Sequence, residues 1–193
     1  MRADAMDHYV DLQLRPDPEL APHQLLSGLY VRLHRALVQQ QRQDIGVSFP
    51  RHDARKPSLG AHLRLHGRQS ALQALMASGW LQGMHDHLTA SDILSAPAGA
   101  QHRQVTRVQA KSSPSRLRRR AIRRHGIDAD TATQRIPDTA AEHLQLPFVV
   151  LGSRSTGQAS FPLFIRHGAL LSEPRAGSFN SYGLSQEATV PWF

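Results

Sequence analysis

Hydrophobic and polar residues alternate early in the chain: over residues 8 to 14, Val10, Leu12 and Leu14 fall on one side and Tyr9, Asp11 and Gln13 on the other. A period of two marks a half-buried strand, and Arg15-Pro16-Asp17-Pro18 stops it. Over residues 22–41 the period changes, with Leu25, Leu26, Leu29, Tyr30, Leu33 and Leu37 recurring at spacings of three and four. This pattern predicts an amphipathic helix, and Pro22 suits its first turn because a helix start leaves that N–H unpaired in any case. Two short strands are expected around residues 45–49 and 62–66, with a polar loop rich in Arg, Asp, Lys and Pro between them. A second helix fits residues 69–76, ended by Ser78-Gly79, and a strand around residues 85–91 completes the set.

The order β-α-β-β-α-β is the ferredoxin-like unit shared by many RNA-binding domains, so the expected class is α+β. Ala96-Pro97-Ala98-Gly99-Ala100 is the clearest linker in the chain. It predicts a ferredoxin-like (RRM-like) domain over 1–98 and a second α+β domain over 99–193. The second half holds seven aromatic residues between Phe148 and Phe193.

Composition narrows the possible partners. The 193 residues carry 23 Lys+Arg against 15 Asp+Glu, a formal charge of +8, with 12 His and no Cys. The absence of cysteine excludes a disulfide framework and a thiolate zinc site, and it suits an intracellular, cytoplasmic protein. No apolar stretch approaches the ~20 residues that span a bilayer. The start MRADAMDHYVDL has no apolar core of a secretory signal. A soluble protein with a polyanionic partner and no membrane association is expected.

The charge is concentrated. Between Asp92 and Asp128 there is no acid, and the segment holds Arg103, Arg107, Lys111, Arg116, Arg118, Arg119, Arg120, Arg123 and Arg124, which leaves the rest of the chain close to neutral. Ser113-Pro114 reads as an N-cap followed by proline at the first helical position, and Gly126 as the residue after the C-cap, so a helix is expected over 114–125. At about 100° per residue, Arg116, Arg119, Arg120, Arg123 and Arg124 share a stripe roughly 140° wide, while Leu117, Ala121 and Ile122 face elsewhere. Five guanidiniums on one face repel each other unless an anion meets them, and nucleic acid supplies a row of phosphates. Just upstream, residues 103–111 alternate like a strand or extended loop. Arg107 and Gln109, two apart, would share a side, and Arg and Gln are the types that pair bidentately with guanine and adenine edges.

Catalytic motifs are sparse. His85-x-His87 has no neighbouring Cys or carboxylate cluster to complete a metal site, the acids are too scattered for a two-metal nuclease, and neither a phosphate-cradling glycine loop nor a Gly-x-Ser-x-Gly elbow is present. Chemistry on nucleic acid would then be metal-free, which RNA allows because its 2′-hydroxyl can attack the adjacent phosphate once a base removes the proton. Histidine, with an unperturbed pKa near 6.5, is the usual base. His34 lies at the border of the first helix's apolar face, one turn after Tyr30.

Several motifs in order carry a resemblance: His34 in Arg-Leu-His-Arg-Ala-Leu, Ile45-Gly-Val-Ser-Phe-Pro50, Arg107-Val-Gln-Ala-Lys111, Arg116-Leu-Arg-Arg-Arg120, Arg123-Arg124-His125, Arg135-Ile-Pro-Asp-Thr139, Leu146-Pro-Phe148, Ser155-Thr-Gly-Gln158, Leu163-Phe-Ile-Arg-His-Gly168, Tyr182-Gly-Leu-Ser185 and Val190-Pro-Trp-Phe193. Over residues 6–193 the chain resembles the CRISPR-associated repeat-processing endoribonuclease of subtype I-F (Ypest-type) systems. The resemblance implies a ferredoxin-like first domain and a second domain that presents the arginine helix to the major groove of a repeat stem-loop. It implies cleavage at the 3′ base of that stem without metal or other cofactor, by 2′-hydroxyl attack that leaves a 5′-hydroxyl and a 2′,3′-cyclic phosphate. It also implies retention of the mature guide RNA and membership of the type I-F surveillance complex.

By position, the resemblance implies that His34 is the general base, that Ser153 holds the 2′-hydroxyl and that Tyr182 orients the histidine. Ser155, two residues after Ser153, is a second candidate for the hydroxyl. Arg107 and Gln109 match the base-reading pair at the foot of the stem, and Arg119, Arg120, Arg123 and Arg124 match the arginines that grip the backbone, with Arg116 on the same stripe. Phe161 matches the aromatic that stacks on the terminal base pair, although the chain after Gly157-Gln158 is one residue longer than the pattern. The alternatives are a non-catalytic RNA hairpin-binding protein and a basic DNA-binding regulator.

Overall fold

Helix α1 (Pro22–Gln39) and strand β1 (His8–Leu14) form where the two periodicities place them. Leu25, Leu26, Leu29, Tyr30, Leu33 and Leu37 are all buried along one helical face. The computed structural model describes residues 6–53, 55–109, 114–137, 144–152 and 160–193. The remaining elements of the first half are β2 (Gly46–Ser48), β3 (His62–Gly67), α2 (Gln69–Ala77), β4 (Leu88–Ala90) and the two-residue β5 (Leu94–Ser95). The sheet order is β2-β3-β1-β4, with β5 also on β1 and every pairing antiparallel. Strands β1 and β2, which α1 connects, thus have β3 between them, the split form of a β-α-β unit. The strand expected over 85–91 shortens to β4 because turns continue through His87, whose Nδ1 lies 3.1 Å from Asp17 Oδ2.

A second antiparallel sheet runs β7-β8-β6-β9, from β6 (Gln101–Val108), β7 (Phe148–Leu151), β8 (Phe161–Leu171) and β9 (Val190–Trp192). The class is therefore α+β. The two sheets share one core, in which Leu12, Leu33, Val47 and Leu65 join Val105, Leu163, Ile165 and Val190. Gly46 shows why they can approach: a Cβ there would stand 2.6 Å from Val190 Cγ1 and 2.7 Å from Phe179 Cε1. Compactness divides the chain into a unit of residues up to Val108 with Leu146–Phe193, and a smaller unit, Gln109–Gln145. The boundary expected at 98/99 falls between the two sheets, where residues 96–100 form a turn with Ala100 N–H donating to Pro97 O and Ala96 N–H to Asp7 O. No helix among the described residues is long and apolar enough to cross a membrane.

The outer residues of β3 are buried too, and they are polar. Arg64 grips Asp11 through Nε and Nη2, at 2.6 and 2.9 Å, donates from Nη1 to Phe193 O at 3.0 Å, and lies over the Tyr9 and Phe193 rings. Burial works to raise the Asp11 carboxyl, but Arg64 and His62 outweigh it and hold it well below the usual carboxylate range. His66 meets Ser48 Oγ at 2.7 Å, and burial, helped by the Arg64 charge, pushes its pKa down to about 3. Behind the second sheet, His167 stacks on His52 with centroids 3.8 Å apart and Trp192 edge-on to both. Burial pushes His167 down to about 3, with His52 and Arg103 adding to the shift.

Candidate active site and nucleic-acid interface

One turn separates Tyr30 from His34 on α1, so both side chains leave the same helical face. They reach consecutive carbonyls of a turn far along the chain: the Tyr30 hydroxyl donates to Tyr182 O at 2.7 Å, and His34 Nδ1 lies 2.8 Å from Ser181 O. A carbonyl oxygen only accepts, so Nδ1 carries the hydrogen. In the neutral ring Nε2 is then the acceptor, the atom a general base requires. Burial pushes the Tyr30 hydroxyl well above its ordinary value, so it remains a donor.

Tyr182 stacks on the imidazole, with centroids 4.2 Å apart and 17° between the planes. The turn that carries it is held by its own side chains and by the first sheet. Asn180 Oδ1 accepts from Tyr182 N–H at 2.9 Å and Leu184 N–H at 3.2 Å, and Gly183 N–H returns to Asn180 O at 2.8 Å. Gly183 has φ +70, and a Cβ there would stand 2.7 Å from Val47 Cγ1, so the position suits glycine on both counts. Its carbonyl accepts from Val47 N–H, and Phe179 N–H donates to Gln43 O, both at 2.9 Å.

Arg107 enters this neighbourhood from β6, opposite Ile165 of β8. Its guanidinium lies 5.6 Å from the centre of the Tyr182 ring and 6.0 Å from that of Phe161, the outer range of cation–π attraction. Gln186 braces the backbone here by donating to Arg107 O at 3.0 Å, and the Gln104 amide donates in turn to Gln186 O. The structure therefore brings four of the expected residues together: His34, Tyr182, Arg107 and Phe161. Ser153 and Ser155 lie outside the described residues, in the connection between Leu151 and Phe161, which pair across β7 and β8. Sequence reasoning missed the Ser181 carbonyl, which no side chain announces. It noted the i, i+4 spacing of Tyr30 and His34 but not its use.

In the 109–145 unit, α3 (Pro114–His125) forms over the expected residues and α4 (Ala129–Arg135) follows. Ser113, the expected N-cap, lies outside the described residues. Gly126, at φ +63, ends α3 with its N–H on Ile122 O at 2.9 Å, the left-handed cap that glycine allows. Arg116, Arg119, Arg120, Arg123 and Arg124 are exposed. Arg118, which the spacing left off the stripe, turns instead to the Ile136 carbonyl at 2.7 Å and ties α3 to the end of α4. Arg123, Arg124 and His125 occupy the last turn, where the helix dipole favours cations. Gln109 is exposed and follows the end of β6 at Val108, so strand alternation does not extend to it from Arg107.

The family model for CRISPR-associated protein (Cas_Csy4) matches residues 9–193. The chain is 53% identical over 188 residues to a protein of Pseudomonas aeruginosa (strain UCBPP-PA14) named CRISPR-associated endonuclease Cas6/Csy4, a match that covers 97% of this chain and 100% of that one. A protein of the same name from Escherichia coli (strain UTI89 / UPEC) is 45% identical, again over 97% of this chain and 100% of its own length. A family match across nearly the whole chain and full-length relatives at this identity place it: the chain belongs to the Cas_Csy4 family of CRISPR-associated proteins.

Proposed function

We propose that this chain is a CRISPR-repeat endoribonuclease that binds the repeat stem-loop and cuts at its 3′ base without metal. The observation that carries the reading is His34, whose Nδ1 is committed to the Ser181 carbonyl so that Nε2 is left as a proton acceptor beside Tyr182 and Arg107. The relatives' shared name, endonuclease, supports the reaction class. In the proposed step, Nε2 takes the proton of the 2′-hydroxyl and the freed oxygen attacks the adjacent phosphorus. The P–O5′ bond breaks, giving a 2′,3′-cyclic phosphate and, once the leaving oxygen gains a proton from solvent, a 5′-hydroxyl. The RNA supplies the nucleophile and His34 the base, so no cofactor is required.

The other roles follow the same reading. Tyr182 keeps the imidazole in plane. Ser153, or Ser155 two residues on, holds the 2′-hydroxyl, a positioning role because a neutral serine is no base. Arg107 and Gln109 read bases at the foot of the stem, Phe161 stacks on its terminal pair, and Arg116, Arg119, Arg120, Arg123 and Arg124 meet the phosphates. The ferredoxin-like reading of the first half assigns its helix α1 the task of presenting the base. The product stays bound, and the protein then serves as a subunit of the type I-F surveillance complex.

A cleavage assay on the cognate repeat hairpin tests this. His34→Ala is expected to lower the cleavage rate by about 10²–10⁴-fold, the usual worth of general base catalysis, while hairpin binding persists. EDTA should leave the wild-type rate unchanged. A hairpin with a single 2′-deoxy nucleotide 5′ of the cut should bind and remain whole. Undiminished cleavage by the alanine variant would remove His34 as the base, and binding without cleavage by the wild type would leave a hairpin-binding protein.

A further inference from the structure

The geometry points to Asn180 as a positioning residue for the reaction, acting by holding the turn whose carbonyl fixes the tautomer of His34. The inference rests on the reading of His34 as the general base and deepens it. A neutral imidazole has two tautomers of similar intrinsic energy, and only the one with its hydrogen on Nδ1 leaves Nε2 able to accept a proton. What selects the tautomer here is a peptide carbonyl, Ser181 O at 2.8 Å. A carbonyl selects well only if it cannot turn away, and the peptide that carries it is Ser181–Tyr182. The N–H of that same peptide donates to Asn180 Oδ1 at 2.9 Å. The amide side chain therefore holds one edge of the peptide while the imidazole uses the other.

Asn180 also closes the turn at its far end. It accepts from Leu184 N–H at 3.2 Å through the same oxygen, and its backbone N–H donates to Leu184 O at 2.9 Å. Tyr30, fully buried on α1, pins the next carbonyl, Tyr182 O, at 2.7 Å. Without the Asn180 oxygen, the Ser181–Tyr182 peptide keeps no side-chain acceptor for its N–H and can rotate about its flanking bonds. Rotation would take the carbonyl off Nδ1 and the Tyr182 ring off the imidazole. Asn180 is itself exposed, so its role is not that of filling the core.

The test compares Asn180→Ala with Asn180→Asp, which keeps an oxygen for both N–H groups. Single-turnover cleavage at saturating enzyme, affinity for the 2′-deoxy hairpin, and the ¹⁵N spectrum of the His34 ring in the full chain are measured for each. Asn180→Ala is expected to slow cleavage by about tenfold or more, to change affinity by no more than about twofold, and to raise the Nε2–H tautomer at the expense of Nδ1–H. Asn180→Asp should restore both the rate and the tautomer. The inference is overturned if Asn180→Ala cleaves like wild type, if the aspartate variant is as slow as the alanine one, or if cleavage slows while the tautomer is unchanged. Should Asn180→Ala fail to fold, the Asn180→Asp and Tyr30→Phe proteins carry the same two readouts; a wild-type tautomer in Tyr30→Phe together with a lost one in Asn180→Asp overturns it as well. If His34→Ala cleaves normally, the reading of the base has failed; if His34→Ala is inactive and Asn180→Ala is not, only the present inference has.

Discussion

Acid should begin to destabilise this protein well above the pH at which its carboxylates protonate, because two histidines are buried in the neutral state. His66 and His167 are each pushed down to about 3, against an ordinary value of 6.5. The unfolded chain therefore binds a proton on each as pH falls below about 6.5, while the folded chain does not. Stability is fully present above that pH and declines at about 1.4 kcal/mol per pH unit for each group, down to about pH 3. At pH 4.5 the loss for the two together is about 5 kcal/mol, the low end of the whole stability of an ordinary domain. The surroundings do not offset it. His66 faces Ser48, Arg64 and Asp11, with the arginine disfavouring its charge more than the aspartate favours it. His167 faces His52, Trp192 and Phe49, with Arg103 near, and burial also lowers His52. Asp11, held low by Arg64 and His62, stays ionised throughout this window.

Urea unfolding between pH 7.5 and 4.5 measures the effect, and Trp80 and Trp192 both report on the unit that holds these histidines. The free energy should fall by about 3 kcal/mol per unit of pH below about 6 at constant m-value. In His66→Gln, which retains a polar partner for Ser48, the slope should halve while stability at pH 7.5 drops. Equal stability at pH 7 and pH 5, or an unchanged slope in His66→Gln, would refute the reasoning.

Two further outcomes are expected. Arg123→Ala should weaken hairpin binding and reduce the slope of log affinity against log salt by roughly 0.7–0.9, one phosphate contact, whereas Arg118→Ala should leave the slope near wild type and lower the melting temperature, since Arg118 bonds the Ile136 carbonyl. Gly46→Ala should destabilise the chain by about 1–3 kcal/mol in urea titrations, because its Cβ would lie 2.6 Å from Val190 Cγ1 where the two sheets meet.

The local periodicities of the sequence were enough to determine α1, β1 and the arginine face of α3. In α3 the agreement is at the level of single residues: the five arginines placed on one stripe are exposed, and Arg118, left off it, is part-buried and donates to the Ile136 carbonyl at the end of α4. A helical face follows from a rotation of about 100° per residue, and nothing distant is needed to compute it. What the sequence could not contain is what long-range packing supplies. The acceptor for His34 is a carbonyl 147 residues away, and a backbone atom leaves no trace in residue identity. The neutral state of His66 and His167 depends on burial against residues of other strands, and histidine reads the same whether buried or exposed. Residues 96–100 read in the sequence as a linker, but that the sheets on either side share one core depends on Gly46, Val190 and Phe179 meeting in space. The sequence by itself thus determined which residues could carry charge and chemistry; only the tertiary structure decided which nitrogen of His34 is tied to a carbonyl and which is left as an acceptor.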